Sequence, residues 1–269
     1  MTQFIFTRPV DYLFKVSVIK QLRLIGGPNI VLRSLLDFAG CMPEFEQIFR
    51  TAEQHGLYFG VSLPKEGDIP TGAWNHLHPL EQKIARSLQG KRKISFVGGR
   101  IAARLGLKTI QQDSLGVVRD SLGAPIIANP HSTLTISITH KADQAIALLN
   151  RQRNVTVGLD LEHLSPPRPN IASKVLTPEE QAHLDSLPVE RQWCYLLMTF
   201  SFKESIYKAL APKWKRYISF EEAIVYPQTD MTAKVTLKSA KDDILPVEIN
   251  ARYMWYENSI ITSVTARWR

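Results

Sequence analysis

Residues 193–210, WCYLLMTFSFKESIYKAL, have helical periodicity and are apolar around most of the circumference. At about 100° per residue, Trp193, Leu197 and Phe200 share a stripe with Glu204 and Lys208, while Cys194, Met198, Phe202, Ile206 and Ala209 fill another side. Such a helix has to be enclosed, so the rest of the chain must supply layers on more than one side of it. Charges carried into those surroundings need partners. Taken alone, Glu204 and Lys208 read most simply as an i,i+4 pair within the helix, worth a few tenths of a kcal/mol.

The chain has 269 residues, 44% of them hydrophobic, which suffices for one large domain or two smaller ones. A formal net charge of +8 favours an anionic partner without choosing among nucleic acid, a phosphate-rich cofactor, a membrane surface and an acidic protein. Cys41 and Cys194 stand far apart without the spacing of a zinc site or disulfide framework, which suits a reducing compartment; the cytoplasm is the expected location. Arg8, Asp11, Lys15 and Lys20 interrupt the N-terminal apolar patches, so no signal-peptide core is expected, and no stretch is long enough to span a bilayer. The basic KRK at 91–93 stands without an RNP-like strand, a zinc pattern or a helix-turn-helix, so nucleic acid is not an expected partner.

Punctuation by Gly, Pro and alternation predicts the elements. NIVLRSLLDFAG and PEFEQIFRTAEQHG read as helices, GLYFGVSLP as a strand, and HPLEQKIARSLQG as a helix. KRKISFVGGRIAARLGLK is a further helix, on which Arg100, Arg104 and Lys108 form an i,i+4,i+8 row; locally this is a solvated face more often than a phosphate-facing ridge. TLTISITH and AIALLN read as consecutive strands, and RQRN at 151–154 as a boundary between two halves. VTVGLDLE alternates, with Val155, Val157, Leu159 and Leu161 on one face and Thr156, Gly158, Asp160 and Glu162 on the other. Thr177, Pro178 and Glu180 give a capping box, and the tail from YISFEEAIVY onward is strand-rich and antiparallel.

Asp160 and Glu162 therefore share a side of one strand and can converge on a hard cation, with Glu204 as a third carboxylate from a neighbouring helix. A D-x-E alone is more often a pair of solvated acids. Its company raises the functional reading: His140 ends a nearby strand, the 100/104 row is basic, and Lys203 and Lys208 flank Glu204. Together these residue types describe a site for a magnesium-bound pyrophosphate.

GLDLE at 158–162, followed about forty residues later by FSFKESIYKAL, resembles the paired signatures of the surfactin-type 4′-phosphopantetheinyl transferases. GKRKISFVGGRIAARLGL and ISITH, in the same order, are most similar to the enterobactin synthase component D branch. The likeness covers roughly residues 57–226. It implies an α+β fold, a pseudo-twofold pair of similar halves with coenzyme A in the cleft between them. The expected division is a helical extension at 1–56, one half at 57–150 and the other at 151–269.

By this resemblance Asp160, Glu162 and Glu204 match magnesium ligands, Lys208 matches the lysine on the coenzyme A pyrophosphate, and His140 matches a phosphate-contacting histidine. Arg100 and Arg104 match the basic helix at the nucleotide end, and Lys203, within the motif, is expected among the coenzyme-binding residues as well. Glu204, or a water it orients, is the expected base. The implied reaction is transfer of phosphopantetheine from coenzyme A to a serine of an acidic apo carrier protein by a monomeric enzyme, with siderophore assembly as the setting. A non-catalytic coenzyme A or carrier-binding module is the alternative. Phe202 departs from the pattern at a variable position and is expected to alter packing. The other histidines, His55, His76, His78, His131, His163 and His183, carry no ligand spacing and read as surface, capping or helical residues.

Overall fold

The computed structural model describes the main chain of residues 47–53 and, in full, residues 55–65, 69–164, 166–238 and 244–269. The helix expected at 29–40 lies outside the described residues. The helix expected at 43–55 is corrected: residues 47–53 form a strand, β1 (Gln47–Glu53), antiparallel to β2 (Gly56–Ser62). Pairing along the free edge of β2 overrides the helical spacing of that segment. His55 is accordingly in the turn between the two strands, not in a helix, and Gly56 takes φ +138° where a Cβ would lie 2.1 Å from the Leu149 carbonyl oxygen.

Three helices follow: α1 (Thr71–His76), α2 (Pro79–Arg86) and α3 (Gly90–Thr109). His78 caps α2 in a reciprocal box with Glu81. A hairpin of β3 (Val117–Arg119) and β4 (Pro125–Ile127) occupies the GAPII region. Then come β5 (Thr135–Lys141) and β6 (Gln144–Asn150), which complete a four-stranded sheet of order β1-β2-β6-β5. α3 lies across β2, β6 and β5, and its Val97, Ile101 and Leu105 pack with Phe59, Ala147 and Leu149 in the first core.

Residues 151–154 lead into β7 (Val155–His163). After the short α4 (Ala172–Val175) come α5 (Pro178–Ser186), with the expected Thr177 capping box, and the long α6 (Val189–Trp214). The chain closes with β8 (Ala223–Pro227), β9 (Thr232–Leu237), β10 (Glu248–Tyr256) and β11 (Ser259–Arg267), giving an antiparallel five-stranded sheet of order β7-β11-β10-β9-β8. α6 crosses this sheet as α3 crosses the first, so the two halves repeat one plan of antiparallel sheet plus long helix. Leu197, Phe202, Ile206 and Leu210 of α6 pack with Val225, Tyr253 and Val264, enclosing the helix on the sheet side. Phe202 is completely buried and meets Tyr253 edge to face at 6.1 Å, a packing role.

The halves meet along two sheet edges. β5 and β7 run side by side without a hydrogen-bonded ladder, and side chains take over the edge groups: the Leu159 N–H donates to Ser137 Oγ at 3.0 Å. Beneath this seam Tyr58, Ile146 and Leu148 of the first sheet interlock with Val155, Val157, Leu159 and Leu161, the apolar face of β7.

Candidate active site

The polar face of β7 is matched against α6 turn by turn. Thr156 Oγ1 donates to the Ala209 carbonyl at 2.6 Å, and one turn back Gly158 abuts the main chain of Ser205. A Cβ at 158 would stand 1.8 Å from Ser205 O and 2.7 Å from Ala209 N, so glycine permits the approach. One turn further, Ser201 Oγ donates to Asp160 Oδ2 at 2.9 Å. Ser201 is in turn 2.8 Å from Thr262 Oγ1, which also meets Ser205 Oγ at 2.8 Å. A buried hydroxyl cluster thus fixes Asp160 from below.

Lys208 reaches the same carboxylate from α6. Its Nζ donates to Asp160 Oδ1 at 2.8 Å and to the Leu159 carbonyl at 2.9 Å. The ammonium ion is therefore drawn across to β7, in place of the i,i+4 pairing with Glu204. Glu162, like Asp160, is 6% exposed. Lys141 Nζ, at the end of β5, sits 2.8 Å from both carboxylate oxygens of Glu162, and Arg168 lies 3.5 Å from Oε2. The Oε2 contacts are ionic only: this buried atom has no directed hydrogen bond. Glu204 is half-buried, and its carboxyl is pushed up by burial and by the charges of Asp160 and Glu162, against the pull of Lys208 and Lys141.

Beside these acids opens a cavity of about 330 Å³, lined among others by Arg92, Phe96, Arg100, Arg119, Ile138 and His140. Arg100 and Arg119 hold their guanidinium groups 4.5 and 5.0 Å from the Phe96 ring centroid, and Arg100 Nε donates to the Val117 carbonyl at 2.9 Å. Burial, with the charges of Arg119 and Arg104 adding to it against Glu81, pushes Arg100 down to about 10. His140 is exposed at the cavity edge; desolvation first, then Lys208, Lys141 and Arg119, hold its imidazole below the usual range. A cavity walled by like charges and open to solvent attracts an anion.

Two expected members of the site stand elsewhere. Arg104 is buried one turn further along the same side of α3, where it is turned to α2 and the 113–117 segment and does not line the cavity. It donates to Glu81 through Nε at 3.2 Å and Nη2 at 2.8 Å, and to the carbonyls of Asp113 and Leu115. Glu81 is fully buried and also accepts from Val117 N, so Arg104 ties α2, α3 and the 113–117 segment together. Neither a phosphate ridge nor a solvated face describes it. Lys203 is 2% exposed and donates to Glu180 Oε2 at 2.6 Å and to the carbonyls of Val175 and Phe220 at 2.8 Å. Burial lowers its pKa and Glu180 opposes the shift. The carbonyls and Glu180 fill the ammonium's donor capacity, away from the cleft. Arg119, Lys141 and Arg168 carry no signal in the sequence, because each reaches the site through a tertiary pairing that no local spacing announces, whereas Arg92 belongs to the basic KRK at 91–93.

The 4′-phosphopantetheinyl transferase superfamily model matches residues 156–253, and the model of the 4′-phosphopantetheinyl transferase N-terminal domain matches residues 80–150. The 4′-phosphopantetheinyl transferase Npt of Nocardia iowensis is 31% identical over 156 residues, covering 54% of this chain and 64% of that protein. PptT, the 4′-phosphopantetheinyl transferase of Mycobacterium tuberculosis, is 30% identical over 161 residues, covering 58% of this chain and 68% of that protein. The chain belongs to the 4′-phosphopantetheinyl transferase family. Among solved structures, a Bacillus anthracis holo-(acyl-carrier-protein) synthase in complex with CoA (3′,5′-ADP) is 15% identical with TM-score 0.35, over 42% of this chain and 96% of that one.

For a member of this family the fit of a divalent cation is a direct question. Among the described residues no group of three or more His, Cys, Asp or Glu side chains is gathered at ligand spacing. The chemistry of the donor set nevertheless suits a hard cation. Burial first, and then the charges of Asp160 and Glu162, raise the Glu204 carboxyl against Lys208 and Lys141, and Glu162 Oε2 is buried without a directed donor. Lysines now neutralise two of the three acids.

Proposed function

We propose that this chain transfers the 4′-phosphopantetheine group of coenzyme A to a serine of an apo carrier protein and releases adenosine 3′,5′-bisphosphate. One observation carries the reading: the mutually interacting carboxylates of Asp160, Glu162 and Glu204 stand where the two halves meet, near a cationic cavity, and Lys208 pairs with Asp160. The acids suit the reacting phosphoryl group and the cavity suits the nucleotide end.

In this reading Arg92, Arg100 and Arg119 take up the nucleotide phosphates, and His140 donates to the diphosphate once the anion restores its proton. Lys208 turns from Asp160 to a diphosphate oxygen. Asp160, Glu162 and Glu204 would hold magnesium, which when bound stabilises charge developing on the phosphoryl oxygens. The carrier serine Oγ attacks the β-phosphorus, its proton passes to the Glu204 carboxylate, and the bond from that phosphorus to the bridging oxygen breaks.

The surplus of positive charge suits an acidic carrier, whose encounter would slow as salt is added. The enterobactin synthase component D likeness of GKRKISFVGGRIAARLGL and ISITH points to aryl or peptidyl carriers of siderophore assembly. No helix among the described residues is long and apolar enough to cross a membrane. A monomer in the cytoplasm remains the proposal for its state and location.

Chromatography of reactions containing coenzyme A, magnesium and apo carrier tests the chemistry. Adenosine 3′,5′-bisphosphate should appear with the wild-type carrier and not with a carrier whose acceptor serine is alanine. Binding of coenzyme A without its release on any carrier would instead support a non-catalytic binding module.

A further inference from the structure

Lys141 has no place in the expected site, yet it is the residue most closely applied to Glu162. Its Nζ is 2.8 Å from both oxygens of that carboxylate, on the cleft side of the β5–β7 seam. The pair is asymmetric in exposure: the Lys141 side chain is 35% exposed and that of Glu162 7%. The acid is fixed in the wall, whereas the ammonium ion sits on a flexible stem open to the cleft. The adjacent Arg168 stands at 3.5 Å, too long for a hydrogen bond, so Lys141 supplies most of the local compensation. It also faces the other titratable groups of the site: its charge acts on Glu204 of α6 and on His140 of its own strand, and Lys208 and Arg119 act on the same histidine.

A cation that binds Glu162 has to displace an ammonium ion in direct contact with both oxygens. The displaced Lys141 is then left without an anion in a cleft already crowded with Lys208, His140 and Arg119. A coenzyme diphosphate arriving in the cleft removes that penalty.

We propose that Lys141 is an exchangeable counter-ion, holding Glu162 while the cleft is empty and passing to the coenzyme diphosphate when a divalent cation takes the carboxylate. It is thus a positioning residue that opposes metal loading by itself and couples it to coenzyme binding. The coupling is reciprocal, since whatever coenzyme A does to metal affinity the metal does to coenzyme affinity. This inference rests on the transferase reading above.

The test is calorimetric titration of the full chain with Mn2+ alone, with and without saturating adenosine 3′,5′-bisphosphate or coenzyme A, for wild type, Lys141→Gln and Lys141→Arg. Wild type should bind Mn2+ about five-fold or more tightly in the presence of coenzyme A. Adenosine 3′,5′-bisphosphate lacks the diphosphate and should give little of that gain. Lys141→Gln should bind Mn2+ alone more tightly than wild type and lose most of the gain from coenzyme A, while Lys141→Arg keeps the wild-type pattern. An unchanged or weakened affinity in Lys141→Gln, with thermal unfolding as in wild type, overturns the proposal. If wild type binds no Mn2+ even with coenzyme A, the metal assignment falls with it; if it transfers phosphopantetheine but shows no Lys141 effect, only the exchange is wrong.

Discussion

Arg100 and Arg104 lie one turn apart on α3 and look interchangeable in sequence, but their partners differ. Arg100 touches the cavity beside Phe96, while Arg104 is the counter-ion of a fully buried carboxylate. Arg100→Ala should therefore raise KM for coenzyme A and lower the melting temperature less than Arg104→Ala does, since it loses one carbonyl partner and no buried counter-ion. Arg104→Ala should leave Glu81 charged and unpaired, costing about 3–5 kcal/mol in urea unfolding. Equal melting temperatures for the two variants would refute this division. Asp160 and Glu162 were legible as neighbours because strand alternation puts residues two apart on one side. The fate of Arg104 was not, since its partner lies 23 positions earlier and on another helix. Lys203 shows the same limit: its position beside Glu204 marks it as part of the motif, while its contacts with Glu180 and two carbonyls come from elements that only the fold brings near.

At the scale of elements, α6 on β7 sets the geometry of the acids. The helix sits close enough for Ser201 and Lys208 to grip Asp160 only because residue 158 has no side chain. Gly158→Ala would force the Ser205–Ala209 main chain away from β7, a displacement of backbone that no rotamer change can absorb. It should lower stability by about 3 kcal/mol or more, at the upper end of overpacking costs, and should reduce transfer in the molecules that still fold. Calorimetry showing a wild-type melting temperature would mean the contact is looser than described. β2, β5, β6, β7, the strand-rich tail and the long helices were readable from alternation, caps and glycine stops, because each of these acts over a few residues; the β3–β4 hairpin was not read as a pair of strands. β1 was not: its residues carry helical spacing, and only the edge of β2 makes them a strand.

The described residues form two similar halves joined along β5 and β7, with the acids near one end of the seam and a polar join near the other. At that second end His55, 1% exposed, meets Ser263 Oγ at 2.9 Å, while Tyr58 OH donates to the same oxygen at 2.8 Å. Burial, with Arg252 adding to it, pushes His55 down to about 4. An unfolded histidine titrates near 6.5, so between those values the unfolded chain binds the proton and the folded chain does not. Stability from this residue is complete above about pH 6.5 and falls by about 3 kcal/mol as pH drops toward 4. Urea titrations across that range should show a shallower loss in His55→Gln than in wild type; parallel curves would remove His55 from the account. In the proposed function the cleft between the halves performs phosphopantetheine transfer. Intact-protein mass spectrometry of an apo aryl or peptidyl carrier, incubated with the protein, coenzyme A and magnesium beside an EDTA control, tests it most directly. Wild type should give a phosphopantetheine increment that EDTA abolishes and that Asp160→Ala and Glu204→Ala reduce at least 100-fold, as loss of transition-state stabilisation would. A folded wild-type protein that leaves aryl, peptidyl and fatty-acid carriers all unmodified, or an increment undiminished in both variants, would contradict it.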